Sequence, residues 1–253
     1  MDLIEALLLA AAGFGAGAVN ALAGGGTLVS FPALVAAGYA AKVANVTNTV
    51  AIWPGYVGGS LAYREELLEQ RRRFVTLTIP SVLGALAGAA LLLQTSESAF
   101  EQIAPFLILF AAGLLAFQGR LSGFAAHHQI GSGGGDHLPP ALHGALFLSG
   151  IYGAYFGAGL GIINLAVLTI LLPDDIQHSN ALKTALSMVV NGIAAAAFAL
   201  FGPVEWLPAL VMGAAALAGG YIGVGLARRL GPVWLRRAVI AFAVVFALAM
   251  FVS

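Results

Sequence analysis

The chain contains no cysteine. Disulfides, thiolate metal sites and thiol nucleophiles are thereby excluded. Charge is scarce too. Of 253 residues, 9% are Asp, Glu, Lys or Arg, against roughly 25% in soluble domains. A soluble globule of this length could not cover its surface with 11 bases and 11 acids. The formal net charge is zero, and no basic tract is present for nucleic acid. Met1-Asp2-Leu3-Ile4-Glu5 lacks the cationic start of a secretory signal. No Asp or Glu falls in the middle of an apolar stretch, so no carboxylate proton relay is evident.

What is present is apolar. Hydrophobic residues make up 60% of the chain, and the mean hydropathy is +0.95. Stretches near spanning length recur throughout. Leu3–Leu22 is followed by a break at Gly24-Gly25-Gly26 and a short piece from Thr27 to Gly38. Asn45–Tyr63, Phe74–Leu93 and Ile103–Phe117 come next. Gln118–Pro140 is polar and holds Gly133-Gly134-Gly135, so it reads as a flexible linker. Leu142–Phe156 resumes the pattern, breaks at Gly157–Gly161, and continues to Pro173. Asn180–Phe201, Trp206–Ala227 and Trp234–Val252 complete it. These features predict an all-α polytopic membrane protein.

The second list repeats the first at an offset of 135: Gly15 maps to Gly150, Gly24 to Gly159, Gly26 to Gly161, Asn45 to Asn180 and Thr49 to Thr184. Gly84 and Gly88 map to Gly219 and Gly223, a small-xxx-small pair suited to helix packing. One ungapped offset over this length argues for internal duplication. The expected division is a first membrane repeat at 1–117, a cytoplasmic linker at 118–140 and a second repeat at 141–253.

Charge orients the repeats. Lys42 and Lys183 are the only lysines; the other nine of the 11 basic residues are Arg. All nine lie in three connections: Arg64 with Arg71–Arg73, Arg120, and Arg228, Arg229, Arg236 and Arg237. Such connections stay cytoplasmic. Placing all of them inside requires Leu142–Leu172 to be a hairpin that enters and leaves on one side. Each half is then a broken-helix hairpin plus three transmembrane helices. Three crossings is odd, so the halves form an inverted repeat with both termini extracytoplasmic.

The glycine breaks are candidate ligand sites. Non-helical backbone at membrane depth must be buried in protein or line a cavity. Each break precedes a short helix, whose N-terminal amides suit an anion. The alternative is tight helix packing. After each hairpin comes a polar turn: Asn45, Asn48 and Thr49 on one face, and Asn180, Lys183 and Thr184 on the equivalent face. Asn45 and Asn180 could instead cap helix starts. Lys183 is an ionisable group within a span, which marks either a function or a side chain snorkelling to the interface. Asn20 and its equivalent Tyr155 could face the cavity, and Tyr56 and Asn191 could do so or join helices. Lys42 reads as a surface charge. The candidate substrate-binding set is Asn20, Gly24, Gly25, Gly26, Thr27, Asn45, Asn48, Thr49, Gly157, Gly159, Gly161, Asn180, Lys183 and Thr184. His127, His128 and His137 sit in the linker, where a metal would be loosely held; neither metal nor cofactor is expected. Ser149 and Ser187 have no His within a span to activate them, so no enzyme constellation can be drawn.

Gly13–Thr27 with Phe31-Pro32-Ala33-Leu34 and Asn45–Thr49 resembles the first signature of the TauE/SafE sulfite exporter family. Gly157–Gly161 with Ser179–Thr184 resembles its second. The resemblance covers essentially the whole chain. It implies a multi-pass permease of the bacterial inner membrane that moves sulfite or an organosulfonate, often as an exporter. The partners expected are that small anion and the lipid bilayer, with a homodimer left open. A secondary carrier is the first reading and an anion channel the second; counterflow separates them.

Overall fold

The computed structural model describes residues 1–22, 24–127, 138–172, 174–229 and 233–251. Among them the chain is helical and has no strand. The first half runs α1 (Leu3–Leu22), α2 (Thr27–Ala36), α3 (Ala41–Ala62), α4 (Arg64–Glu69), α5 (Arg71–Gln94) and α6 (Glu97–His127). The second runs α7 (Pro140–Tyr155), α8 (Leu160–Leu171), α9 (Ile176–Phe201), α10 (Trp206–Arg229) and α11 (Val233–Met250). α6 continues past Phe117, so the first part of the expected linker is helical. His128, His137 and Gly133-Gly134-Gly135 lie outside the described residues, as does Pro173.

Among the described residues, five helices are long and apolar enough to cross a membrane: α1, α5, α6, α9 and α10. α3 has 22 residues but carries Asn45, Thr47, Asn48 and Thr49, and is not among them. α2 and α8 have 10 and 12 residues. At 1.5 Å per residue each covers about 15–18 Å, roughly half of a hydrocarbon core. They are re-entrant in length, as the glycine breaks predict.

The polar contacts sort to two ends. At the basic end, Arg73 Nη1 donates to Asp174 Oδ2 at 2.7 Å, and Gln70 Nε2 donates to the His178 carbonyl at 2.8 Å. Leu138 and His143, at the start of α7, line a cavity of about 240 Å³ with Arg72 and Arg73. Tyr221 of α10 shares a second cavity with Arg64 and Glu65. At the acidic end, Tyr39 Oη donates to Glu5 Oε1 at 3.2 Å and the Glu205 amide to Thr47 Oγ1 at 3.0 Å. The α1–α2 pair therefore opens at the acidic end and the α7–α8 pair at the basic end. Leu138 and Asp174 both lie beside Arg73, so α7–α8 enters and leaves on one side.

The equivalent helices make equivalent contacts. α1 packs along α10 and α7 along α5; α3 meets α10 and α9 meets α5; α6 meets α8 and α11 meets α2. Each pair becomes the other at the offset of 135. α3 and α9, themselves equivalent, run antiparallel. Val46 lies beside Gly202, Trp53 Nε1 donates to the Met188 carbonyl at 3.2 Å, and Gly59 lies beside Thr184. The long arm of each hairpin thus lies against a helix of the other half. Gly84 and Gly88 abut the backbone of Phe147 and Ile151, and Gly219 and Gly223 that of Phe14 and Ala18. These glycines serve packing, as the small-xxx-small pattern predicts.

Lys42 departs from expectation. Its Nζ donates to the carbonyls of Leu93 (3.2 Å) and Thr95 (2.6 Å), and its amide donates to Glu97 Oε1 (2.7 Å). It closes the C-terminus of α5, where unpaired carbonyls favour a cation. Lys42→Met should therefore cost about 1–2 kcal/mol of stability and lower the thermal midpoint in detergent. An unchanged midpoint would remove this role.

Candidate functional site

The breaks meet at the tips of the two hairpins. α1 ends at Leu22, and Asn20 on its last turn accepts a hydrogen bond from the Gly26 amide on Oδ1 at 2.7 Å. That bond turns the chain into α2. Gly24 and Gly159, equivalent at the offset, have φ of +79° and +80°. Gly157 adds a φ of +81°. Glycine alone enters this region without strain. A Cβ on Gly24 would lie 2.6 Å from Gly161 Cα, so the tips touch backbone to backbone. Gly24 of the first break thus packs directly on Gly161 of the second.

Several predicted residues gather at this contact. Thr27 Oγ1 lies 3.9 Å from the point where Gly157 would carry a Cβ, and so does Asn191 Oδ1. Asn45 Nδ2 donates to the Tyr155 carbonyl at 2.9 Å, joining α3 to the second tip. Gly25 and Gly159 point elsewhere, Gly25 to Leu115 and Gly159 to Ala111 and Leu114, all on α6. The Tyr155 hydroxyl turns away to Thr95 Oγ1 at 3.4 Å, with its ring against Phe100.

The polar turns of α3 and α9 behave alike. Thr49 Oγ1 donates to the Asn45 carbonyl at 3.0 Å and Thr184 Oγ1 to the Asn180 carbonyl at 2.7 Å. Neither Asn caps a helix. α3 starts after Ala40 with no side-chain cap, and Asp175 caps α9 by accepting from the amides of Gln177 and His178. Each helix starts a turn earlier than the sequence suggests, which leaves Asn45 and Asn180 inside. The capping alternative is thereby removed.

Two features carry the electrostatics. Lys183 is 2% exposed. Among the described residues the one partner of its Nζ is Asn180 Oδ1, at 3.1 Å, and no carboxylate pairs with it. The equivalent Asn48 is 1% exposed, and neither of its side-chain atoms has a partner among the described residues. Among the described residues, Asn20 Nδ2, Thr27 Oγ1 and Asn45 Oδ1 are also buried without partners. Such groups cost about 1–3 kcal/mol each unless something satisfies them. Most of them can donate, which suits an anion.

Sequence reasoning missed one element. Ser149 Oγ donates to Asn164 Oδ1 at 2.6 Å, and Asn164 Nδ2 donates to Ser187 Oγ at 3.3 Å. Asn191 Nδ2 then donates to the Ser187 carbonyl at 3.0 Å. This buried chain ties α7, α8 and α9 together and ends at Gly157. The first half has Phe14, Val29 and Ile52 at the equivalent positions. An asparagine inside the apolar run of α8 was the available signal.

At the basic end, His178 places Nε2 2.7 Å from Glu69 Oε2 and Nδ1 against Asp175 Oδ2. Both carboxylates are acceptors, so the imidazolium satisfies both. Asp174, Asp175 and His178 are close enough to share a metal, but Arg73 and Glu69 already engage two of them. The His178 bond is the largest influence on the Asp175 carboxyl and, with the amides of Gln177 and His178, holds it below the usual carboxylate range although burial pushes the other way. Its stabilising contribution is present above about pH 3.9 and is lost as pH falls through the lower folded value. Asp175→Asn should therefore lose less thermal stability than the wild type on acidification. Parallel acid profiles would show that the bond contributes nothing.

Broken hairpins packed tip to tip among long apolar helices, with buried polar groups at the contact, define a polytopic membrane transporter. The chain belongs to the sulfite exporter TauE/SafE family, whose model matches residues 9–250. It is 28% identical over 237 residues to a "Probable membrane transporter protein" of Haemophilus influenzae, covering 92% of this chain and 89% of that one. It is 26% identical over 219 residues to "Probable membrane transporter protein YfcA" of Escherichia coli K12, covering 85% and 76%. A "Probable membrane transporter protein ORF9" of Sinorhizobium sp is 25% identical over 213 residues, covering 84% and 79%.

Proposed function

We propose that this transporter is a secondary carrier that exports a small sulfur oxyanion, sulfite or an organosulfonate, across the bacterial inner membrane. The observation that carries the anion is Lys183, a buried basic side chain with an amide oxygen as its partner. The unpaired donors of Asn20, Thr27 and Asn48 add dipoles without charge. Sulfur comes from the family to which the chain belongs. The inverted repeat is supported by the antiparallel α3 and α9, and alternating access by hairpins that open at opposite ends. Close tip packing favours a carrier over an open pore.

The direct test is flux into proteoliposomes with sulfite, methanesulfonate, sulfate and thiosulfate. Saturable uptake of sulfite or the sulfonate, with counterflow, is the expected result. Uptake of none of the four by folded protein would overturn the anion reading, and flux without counterflow would favour a channel. In this orientation the basic end is cytoplasmic. A Cys placed at Arg72 should react with an impermeant maleimide only from inside, and labelling from outside would reverse the assignment.

A further inference from the structure

We infer that this carrier moves a proton together with its anion, and that Lys183 Nζ is where the proton binds. The inference rests on the anion reading above. Lys183 is the eighth residue of α9, about one and a half turns beyond the ion pairs of the basic end. α9 packs against α3, α4, α5, α7 and α8. Of the charged groups on those helices, Glu69 pairs with His178 and Arg73 with Asp174; Arg64, Glu65, Glu66, Arg71 and Arg72 lie with them on α4 and the first turn of α5, at the basic end. His143 of α7 stands beside Arg72 and Arg73 in the cavity at that end. α8 carries no charged residue, and Lys42 of α3 lies at the acidic end. The tyrosines of the facing helices are Tyr56 on α3, Tyr63 between α3 and α4, and Tyr152 and Tyr155 on α7. Among the described residues, no carboxylate lies within ion-pair distance of Nζ.

An ammonium removed from water without a counter-ion is far costlier than a neutral amine. The loaded and empty carriers therefore make opposite demands. With a monovalent anion bound, ammonium and anion neutralise each other. With the anion gone, the neutral amine is the form compatible with closed tips, and the Asn180 amide oxygen can still accept a hydrogen bond from it. The amine nitrogen accordingly uses its lone pair to bind one proton on the side where the anion enters. The N–H bond breaks to water where the anion leaves. Each cycle moves one anion and one proton the same way and no net charge. Asn48, at the equivalent place in the first half, cannot titrate, so the two halves share a single proton site.

Arginine separates this mechanism from simple charge attraction, because its guanidinium does not deprotonate in proteins. Methanesulfonate is the probe, being the anion of a strong acid that takes up no proton itself. Its binding to the purified full chain in detergent is measured by calorimetry in buffers of different ionisation enthalpy. At alkaline pH the wild type should take up about one proton per anion bound. Lys183→Arg should bind with none. In proteoliposomes, methanesulfonate entry through the wild type should acidify a trapped dye and should not respond to a potassium–valinomycin potential. Lys183→Arg should lose the acidification. Binding by the wild type without proton uptake, or entry without acidification, would overturn the coupling and leave the anion reading intact. If folded wild type binds neither methanesulfonate nor sulfite, the anion reading falls and the coupling falls with it.

Discussion

Lys183→Met is expected to weaken anion binding about 10-fold or more without lowering the thermal midpoint. The two halves of that expectation have different causes. In the loaded site the ammonium supplies the one full positive charge, and charge-assisted hydrogen bonds contribute about 1.5–3 kcal/mol. Losing one lowers affinity roughly 10- to 150-fold, and more where its charge also balances the anion. In the empty protein the same side chain is 2% exposed and bonded to an amide alone. Methionine fills a similar volume and asks for no partner, and replacing buried ionic groups by apolar ones is often neutral or stabilising. A residue kept for packing would show the reverse, a lower midpoint with affinity retained. Calorimetry with sulfite and thermal unfolding on the same preparation read both. Retained affinity would remove Lys183 from the site and leave the donors of Asn20, Thr27 and Asn48.

Much of this arrangement was legible in the sequence, for reasons of spacing. Spanning stretches need about 20 apolar residues, so the long helices and the two short ones could be read directly. The offset of 135 paired Gly24 with Gly159, and the structure gives both the same left-handed backbone. The Arg distribution required the α7–α8 hairpin, and Asp174 indeed meets Arg73 at the basic end. Other features depend on which way a side chain points, and spacing does not encode that. In a run of three glycines nothing local tells which one faces a partner; Gly24 meets Gly161, while Gly25 faces Leu115 of α6. Asn45 and Asn180 look like caps because the apolar runs begin beside them, yet the helices extend a turn further back. Lys42 reads as a loop charge until α5 ends against it. The Ser149–Asn164–Ser187 chain joins three helices, and its members are too far apart in sequence to be matched by period.

The tips themselves give the other large effect. Gly161→Ala should impair transport far more than it impairs folding, and Gly24→Ala should impair both. Gly161 lies in the first turn of α8, in ordinary helical backbone, so alanine fits its conformation. The added methyl would stand 2.7 Å from Gly24 Cα, with no flexible side chain to yield. Overpacking of this kind typically costs about 1–3 kcal/mol. The hairpins can relieve it by moving apart, which shifts the transporter away from the packed arrangement that the proposed alternating-access cycle revisits. At Gly24 the same collision is compounded by φ of +79°, a left-handed conformation that costs a non-glycine residue about 1–2 kcal/mol more. Gly113 is the control. It lies within α6, and a Cβ there meets nothing within 4 Å. Gly113→Ala should be neutral or slightly stabilising, since alanine is the better helix former by about 1 kcal/mol. Initial rates of sulfite flux in proteoliposomes, normalised to folded protein, would compare the three variants. Full activity in Gly161→Ala would show that the tips never need to close to this distance, and the contact between Gly24 and Gly161 would then be no part of the transport cycle.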